Sequence, residues 1–182
     1  MTNTPKKINS PNQLNRDRQA HQGGDRQQAS DISQQIIDAI KALKTPEGET
    51  GTLKDYPIRT LVIHAKEFGP ELKRQRLETN QVRKFLDAIN QIKAKLPQIE
   101  EKVNHLDLTD EKKEKLKFAE IETDVVLLKP KLAYAAARQD AVKSLNRVMS
   151  EAIDKVHSIQ DFERLVQLIE STIAYHKEKD GK

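Results

Sequence analysis

Cysteine and tryptophan are both absent from this chain. Without thiols there can be no disulfide framework, no zinc–thiolate centre and no cysteine nucleophile, and the composition suits a reducing cytoplasm, the expected location. Aromatic residues make up only 4% and glycines number six, so a core must be built from aliphatic side chains, which suits packed helices better than sheets. No run of β-branched residues alternates with polar ones. No apolar run approaches the ~20 residues that span a bilayer. The first thirty residues hold no hydrophobic signal segment, so a soluble, non-exported protein with no membrane partner is expected.

Catalytic signatures are also scarce. The histidines, His21, His64, His105, His157 and His176, fall on different elements, and none forms the i, i+4 pair of a helical zinc site. His64 lies near an apolar stripe, where a hydrogen-bonded structural histidine is the expectation. No glycine-rich phosphate loop or Gly-x-Ser-x-Gly elbow occurs. The carboxylate pairs Glu100–Glu101 and Glu120/Asp124 sit in charge-dense stretches that read as solvated helix faces. A protein that is not an enzyme, with no metal, cofactor or small-molecule substrate, is expected.

What the sequence does have is segregated charge. The net charge is +4 over 182 residues, with 33% charged residues. Residues 1–30 carry five basic and two acidic side chains, or +3, leaving +1 for the rest. A basic average is therefore no argument for nucleic acid, but local patches set the field a ligand meets. Residues 59–84 hold seven basic and three acidic residues, and 129–147 hold five and one. Residues 97–124 reverse the balance, with five basic and nine acidic.

Residues 1–29 are polar, with Gly23-Gly24 and almost nothing apolar, and read as a disordered tail. Residues 30–182 read as one all-α domain, a compact bundle of five to seven helices. A first helix is expected to start with Ser30 as cap and Asp31 in its first turn, present Ile32, Ile36, Ile40 and Leu43, and end near Thr45-Pro46. A second follows Pro57, with Ile58, Leu61, Val62, Ala65 and Phe68 as its stripe, and Gly69-Pro70 reads as its stop. Thr79 is expected to cap a third, with Val82, Phe85, Leu86, Ile89 and Leu96 inward, Lys84 outward and Arg83 on the border. Pro97 kinks or ends it. Leu106 and Leu108 are expected to anchor an acidic, less regular region before a charged helix from Thr109-Asp110. Ala141, Leu145, Val148, Ala152 and Val156 mark another helix. Ser158 with Asp161 resembles a capping box, and Phe162, Leu165, Val166, Ile169 and Ile173 build the last.

The densest signal is residues 124–138, where an apolar run meets Pro130 between Lys129 and Lys131 and passes into an alanine-rich helix with Tyr134 and Arg138 one turn apart. Pro130 suits a helix first turn and disfavours helix at Lys129. Two further stretches accompany it, the helix opening from Leu77 to Leu86 and the stripe from Phe162 to Lys177. In this order the three resemble the small helical subunit of the type III-A CRISPR–Cas effector, the Csm complex. One position departs: Ala137 stands where that family usually has glycine, which leaves open any contact that needs a bare backbone there.

The resemblance implies an RNA-binding subunit without cutting residues. It would sit among the other Csm subunits, including further copies of itself, beside the duplex of guide RNA and target RNA in antiviral defence. The candidate RNA-binding residues are Arg83, Lys84, Lys129, Lys131 and Arg138, joined by Lys73, Arg74 and Arg76 from the linker that follows Pro70. Other readings remain beside it. Arg83 could pair with Asp87 one turn on, worth a few tenths of a kcal/mol. The whole chain could be a helical protein-interaction adaptor without nucleic-acid binding. A helix-turn-helix DNA regulator fits less well, because the linker before Thr79 is long for a 3–4-residue turn.

Overall fold

Apolar residues recurring every three to four positions build the helices, each turning that stripe toward a common core. The computed structural model describes residues 31–178; the expected tail, 1–29, and Ser30 lie outside the described residues. Eight α-helical segments follow one another: α1 (Ile32–Lys41), α2 (Ile58–Arg74), α3 (Thr79–Lys93), α4 (Leu96–Asn104), α5 (Asp110–Val126), α6 (Leu128–Arg138), α7 (Lys143–Ile153) and α8 (Ile159–Glu178). Breaks of only two residues (94–95) and one (Leu127) separate α3 from α4 and α5 from α6, so the eight segments make six longer stretches. This is the all-α bundle that the periodicity predicts. Among the described residues the only extended pairing is an isolated bridge between Lys44 and Thr50.

One apolar cluster runs through all eight segments, from Ile36 and Ile40 in α1 to Phe162, Leu165 and Ile169 in α8. The largest helix pairing is α2 against α8, with α1 on α7 and α6 on α7 beside it. The turn Leu53–Asp55 locks onto the α7–α8 junction: Leu53 N–H donates to the Lys155 carbonyl at 2.9 Å, and Lys54 N–H to Asp161 Oδ1 at 2.6 Å. The buried Asp161 carboxylate also accepts from His157 N–H at 3.1 Å and from the Ser158 hydroxyl at 2.7 Å. The Ser158–Asp161 pair thus caps α8 and also staples a distant turn to it, as a buried carboxylate must be fully hydrogen-bonded.

Several local expectations need correction. Gly69-Pro70 does not stop α2, which continues to Arg74 with Pro70 inside it. A Cβ on Gly69 would lie 2.6 Å from His176 N, 2.7 Å from Thr172 O and 2.9 Å from Tyr175 C, so the glycine is there for contact between α2 and α8 rather than for termination. Lys73 and Arg74 are accordingly in the last turn of a helix, and the chain turns at Arg76, whose φ is +64°. The α1 cap is Asp31, whose carboxylate accepts from Ser33 N–H at 3.0 Å, and α1 ends at Lys41, short of Thr45-Pro46. Glu78, not Thr79, caps α3, with Gln81 Oε1 accepting its N–H at 3.1 Å. Ile58 and Leu106 are 46% and 45% exposed, and Val103 is the buried anchor of the acidic region. Lys129 is helical despite the proline after it, since Pro130 occupies the third position of α6, where a missing N–H costs no intrahelical bond.

The acidic stretch 97–124 folds into the α4–α5 hairpin. Lys95 reaches Asp124 at 2.6 Å, Lys102 reaches Glu120 at 3.4 Å and Lys117 reaches Glu100 at 3.9 Å. Such exposed pairs contribute little individually, and Glu100, Glu120 and Asp124 are partners of lysines. His64 is likewise structural: its Nδ1 meets the Tyr56 hydroxyl at 2.5 Å. Burial pushes the Tyr56 phenol up and the His64 imidazole down, so a protonated phenol donates to a neutral ring.

Candidate nucleic-acid interface

Helix α6 buries Leu128, Leu132 and Ala136 and turns its opposite side to solvent. At ~100° per residue, positions 127, 131, 134 and 138 fall within about 60° of one another, so Leu127, Lys131, Tyr134 and Arg138 form one exposed stripe. Helix α3 lies alongside, held inward by Val82, Phe85 and Ile89, with Lys84 exposed on its flank. Between the two helices is a groove of about 480 Å³. Its floor is apolar, from Leu77, Phe85, Leu132, Ala135, Val142 and Leu145. Lys84 contributes from α3, and Lys131, Tyr134 and Arg138 from α6. At one end the Gln81 amide donates to the Gln139 side chain and ties the start of α3 to the end of α6.

The cations here are uncompensated. Lys84 and Lys131 have no ion pair or hydrogen bond among the described residues, and Arg83, exposed beside Lys84, has none either; the anticipated pairing with Asp87 does not form. Arg138 has only a neutral partner: Nη1 donates to the Tyr134 hydroxyl at 2.6 Å, and its guanidinium carbon lies 5.3 Å from the ring centroid. The nearby Asp140 carboxylate is taken by Lys143 at 2.5 Å, a hydrogen bond that holds the carboxyl below its usual range. Net positive charge therefore faces the groove.

The other candidate residues are placed differently. Lys129 pairs with Asp154 at 2.5 Å, on α6 but away from the groove. Lys73 and Arg74 line a second, larger groove of about 880 Å³ beside α1 and α2, and Arg74 pairs with Glu71. Three carboxylates (Asp31, Glu67, Glu71) balance three cations (Lys66, Lys73, Arg74) there, so its greater size brings no net field. Arg76 is exposed at the turn and lines neither groove. The structure thus joins Lys84, Lys131 and Arg138, sets Arg83 next to them, and separates the remaining four. Sequence reasoning left Tyr134 off the candidate list. Its signal was its position three residues after Lys131 and four before Arg138, on the same helix face as both.

A family model described as Csm2 Type III-A matches residues 55–182, from the end of the Leu53–Asp55 turn through α8. The chain belongs to the Csm2 Type III-A family. It is a small subunit of the type III-A CRISPR effector, the Csm complex. The match encloses all three stretches that carry the sequence resemblance, and it encloses both helices of the cationic groove. At the position where Csm2-family chains were expected to carry glycine, Ala137 is helical and exposed, so the fold accommodates its methyl group without a clash. No curated protein matches the chain. Among the described residues no helix is long and apolar enough to cross a membrane.

Proposed function

We propose that this small subunit binds RNA and catalyses nothing itself, using the α3–α6 groove as a cationic wall against the guide–target duplex. Lys84, Lys131 and Arg138, with Arg83 beside them, meet phosphates, while neighbouring Csm subunits and further copies of this chain complete the channel. The observation that carries this reading is the convergence of cations without an ion-pair partner from two helices on one groove whose lining holds no carboxylate. Phosphate contacts position a nucleic acid without reading its sequence, and each releases counterions. A near-neutral body with few contacts binds weakly alone, and aligned copies along one strand add their affinities.

The test uses the assembled complex carrying Lys84→Ala, Lys131→Ala and Arg138→Ala together. Target RNA should be held less tightly, by a similar factor for unrelated guide–target sequences, with the complex still assembled. A loss confined to particular sequences would contradict backbone contact. Unchanged RNA affinity alongside failed assembly would favour the rival reading, a protein-interaction adaptor.

A further inference from the structure

The groove has a feature that phosphate neutralisation does not need. Seven aromatic rings occur in the chain; Tyr56, Phe68, Phe85, Phe118 and Phe162 are buried and Tyr175 is half-buried. Tyr134 alone is exposed, at 65%, and it lies on the groove rim between Lys131 and Arg138 on one helical face. Exposing a large ring forgoes the burial that five of the other six achieve, and the ring is not left loose: the Arg138 guanidinium bonds its hydroxyl and lies against it. Below it the groove floor is apolar, with Leu77, Phe85, Leu132 and Ala135. Phosphates and riboses have no use for such a floor, but a planar base does.

We propose that the Tyr134–Arg138 pair is a stacking platform for an unpaired nucleobase, so that the groove, while its cations face the duplex backbone, takes a nucleotide splayed out of the stack and by itself prefers a single strand to a continuous duplex. The inference rests on the reading of this groove as an RNA face and specifies what it takes. In a duplex the flat faces of the bases are covered by their neighbours, and only an unstacked base can offer its face to a ring. Lys84 and Lys131 then hold the flanking phosphates while the base covers the exposed tyrosine. Charge selects the occupant: three uncompensated cations around an apolar floor suit a planar group attached to a polyanion better than an aromatic side chain from a neutral protein surface. Every base has a flat face, so the platform tolerates all sequences.

The experiment titrates the full chain at low salt with three probes: a short single-stranded RNA, the same RNA paired to its complement, and a backbone of equal length whose nucleotides are abasic. The wild type should prefer the base-bearing strand to the abasic one and to the duplex. Tyr134→Ala should weaken only the base-bearing strand, by about 5- to 150-fold, the range for one stacked base. Tyr134→Phe should retain the preference. Because Tyr134 is exposed, the alanine variant keeps the core intact. Equal binding of base-bearing and abasic strands, with Lys84→Ala weakening both, would overturn the platform and leave the phosphate reading standing. Indifference of all three probes to both substitutions would overturn the RNA face and the platform together. If Tyr134→Ala left RNA binding intact but stopped neighbouring Csm subunits from co-assembling, the ring would be a protein contact and the proposal wrong.

Discussion

Replacing Gly69 with alanine tests the packing that holds the bundle together. In a solvated helix this change stabilises by ~1 kcal/mol, because glycine is a poor helix former. Here the added Cβ would lie 2.6 Å from His176 N, 2.7 Å from Thr172 O and 2.9 Å from Tyr175 C. All three are backbone atoms of α8, so none can rotate aside as a side-chain tip would. Relief requires α2 and α8, the largest helix pairing in the fold, to move apart around this point. That also strains the bond from His176 Nε2 to the Leu77 carbonyl, 2.9 Å long and buried. Overpacking a tight interior costs ~1–3 kcal/mol and occasionally more, and rigid backbone on every side puts this site at the upper end. After subtraction of the propensity gain, a net loss of about 2 kcal/mol is expected, or roughly 4–8 °C in Tm for a chain of this size. Urea unfolding followed by helical circular dichroism measures it. A variant as stable as wild type, or more stable, would refute the close approach and restore Gly69-Pro70 as a helix end.

Truncating Phe85, Ile89, Leu145, Leu165 or Ile169 to alanine should cost ~2–5 kcal/mol, while Lys84→Ala stays within about ±0.5 kcal/mol; comparable losses at both would mean misassigned helix faces. Burial depresses the His64 pKa, with Glu67 opposing. The unfolded chain therefore binds the proton more readily: this contribution is fully present above about pH 6.5 and is lost as pH falls toward the lower folded value. Stability should decline with acidification in that window in wild type and less so in His64→Gln, as read by urea midpoints at several pH values. Identical slopes would remove His64 as the titrating group. The lowered carboxylates Glu111, Glu114 and Asp140 act in a separate, more acid window, as pH falls through and below the ordinary carboxylate range.

Much of the fold was legible because burial follows the stripes. Ile36 and Ile40, Leu61, Ala65 and Phe68, and Phe162, Leu165, Val166 and Ile169 all lie in the core, as their spacing requires. What misled was punctuation. Glycine followed by proline is the usual mark of a helix end, and only the approach of α8, a hundred residues later, shows why Gly69 sits inside α2. Leu106 looked like an anchor by hydrophobicity alone, yet Val103, one turn earlier in α4, faces the core. The candidate site divided for a similar reason. Lys84, Lys131 and Arg138 could be suspected from local charge, but whether a lysine is free depends on distant partners. Lys129 is neutralised by Asp154 from beyond the end of α7, whereas Lys131, two residues on, faces the groove. Local sequence holds neither fact. Tyr134 was visible as a residue within a motif, but its isolation as the one exposed ring becomes apparent only once the other six are placed.

The central claim is that the α3–α6 groove neutralises RNA phosphates, and the salt dependence of target binding tests it most directly. In the assembled complex, log affinity falls linearly with log salt, by ~0.7–0.9 per phosphate contact. Comparison of wild type with the variant carrying alanine at Lys84, Lys131 and Arg138 should show a shallower slope, by roughly 2 to 3 for each subunit copy fully engaged on the strand. Equal affinities with equal slopes would contradict the account and return the three residues to ordinary solvated charge.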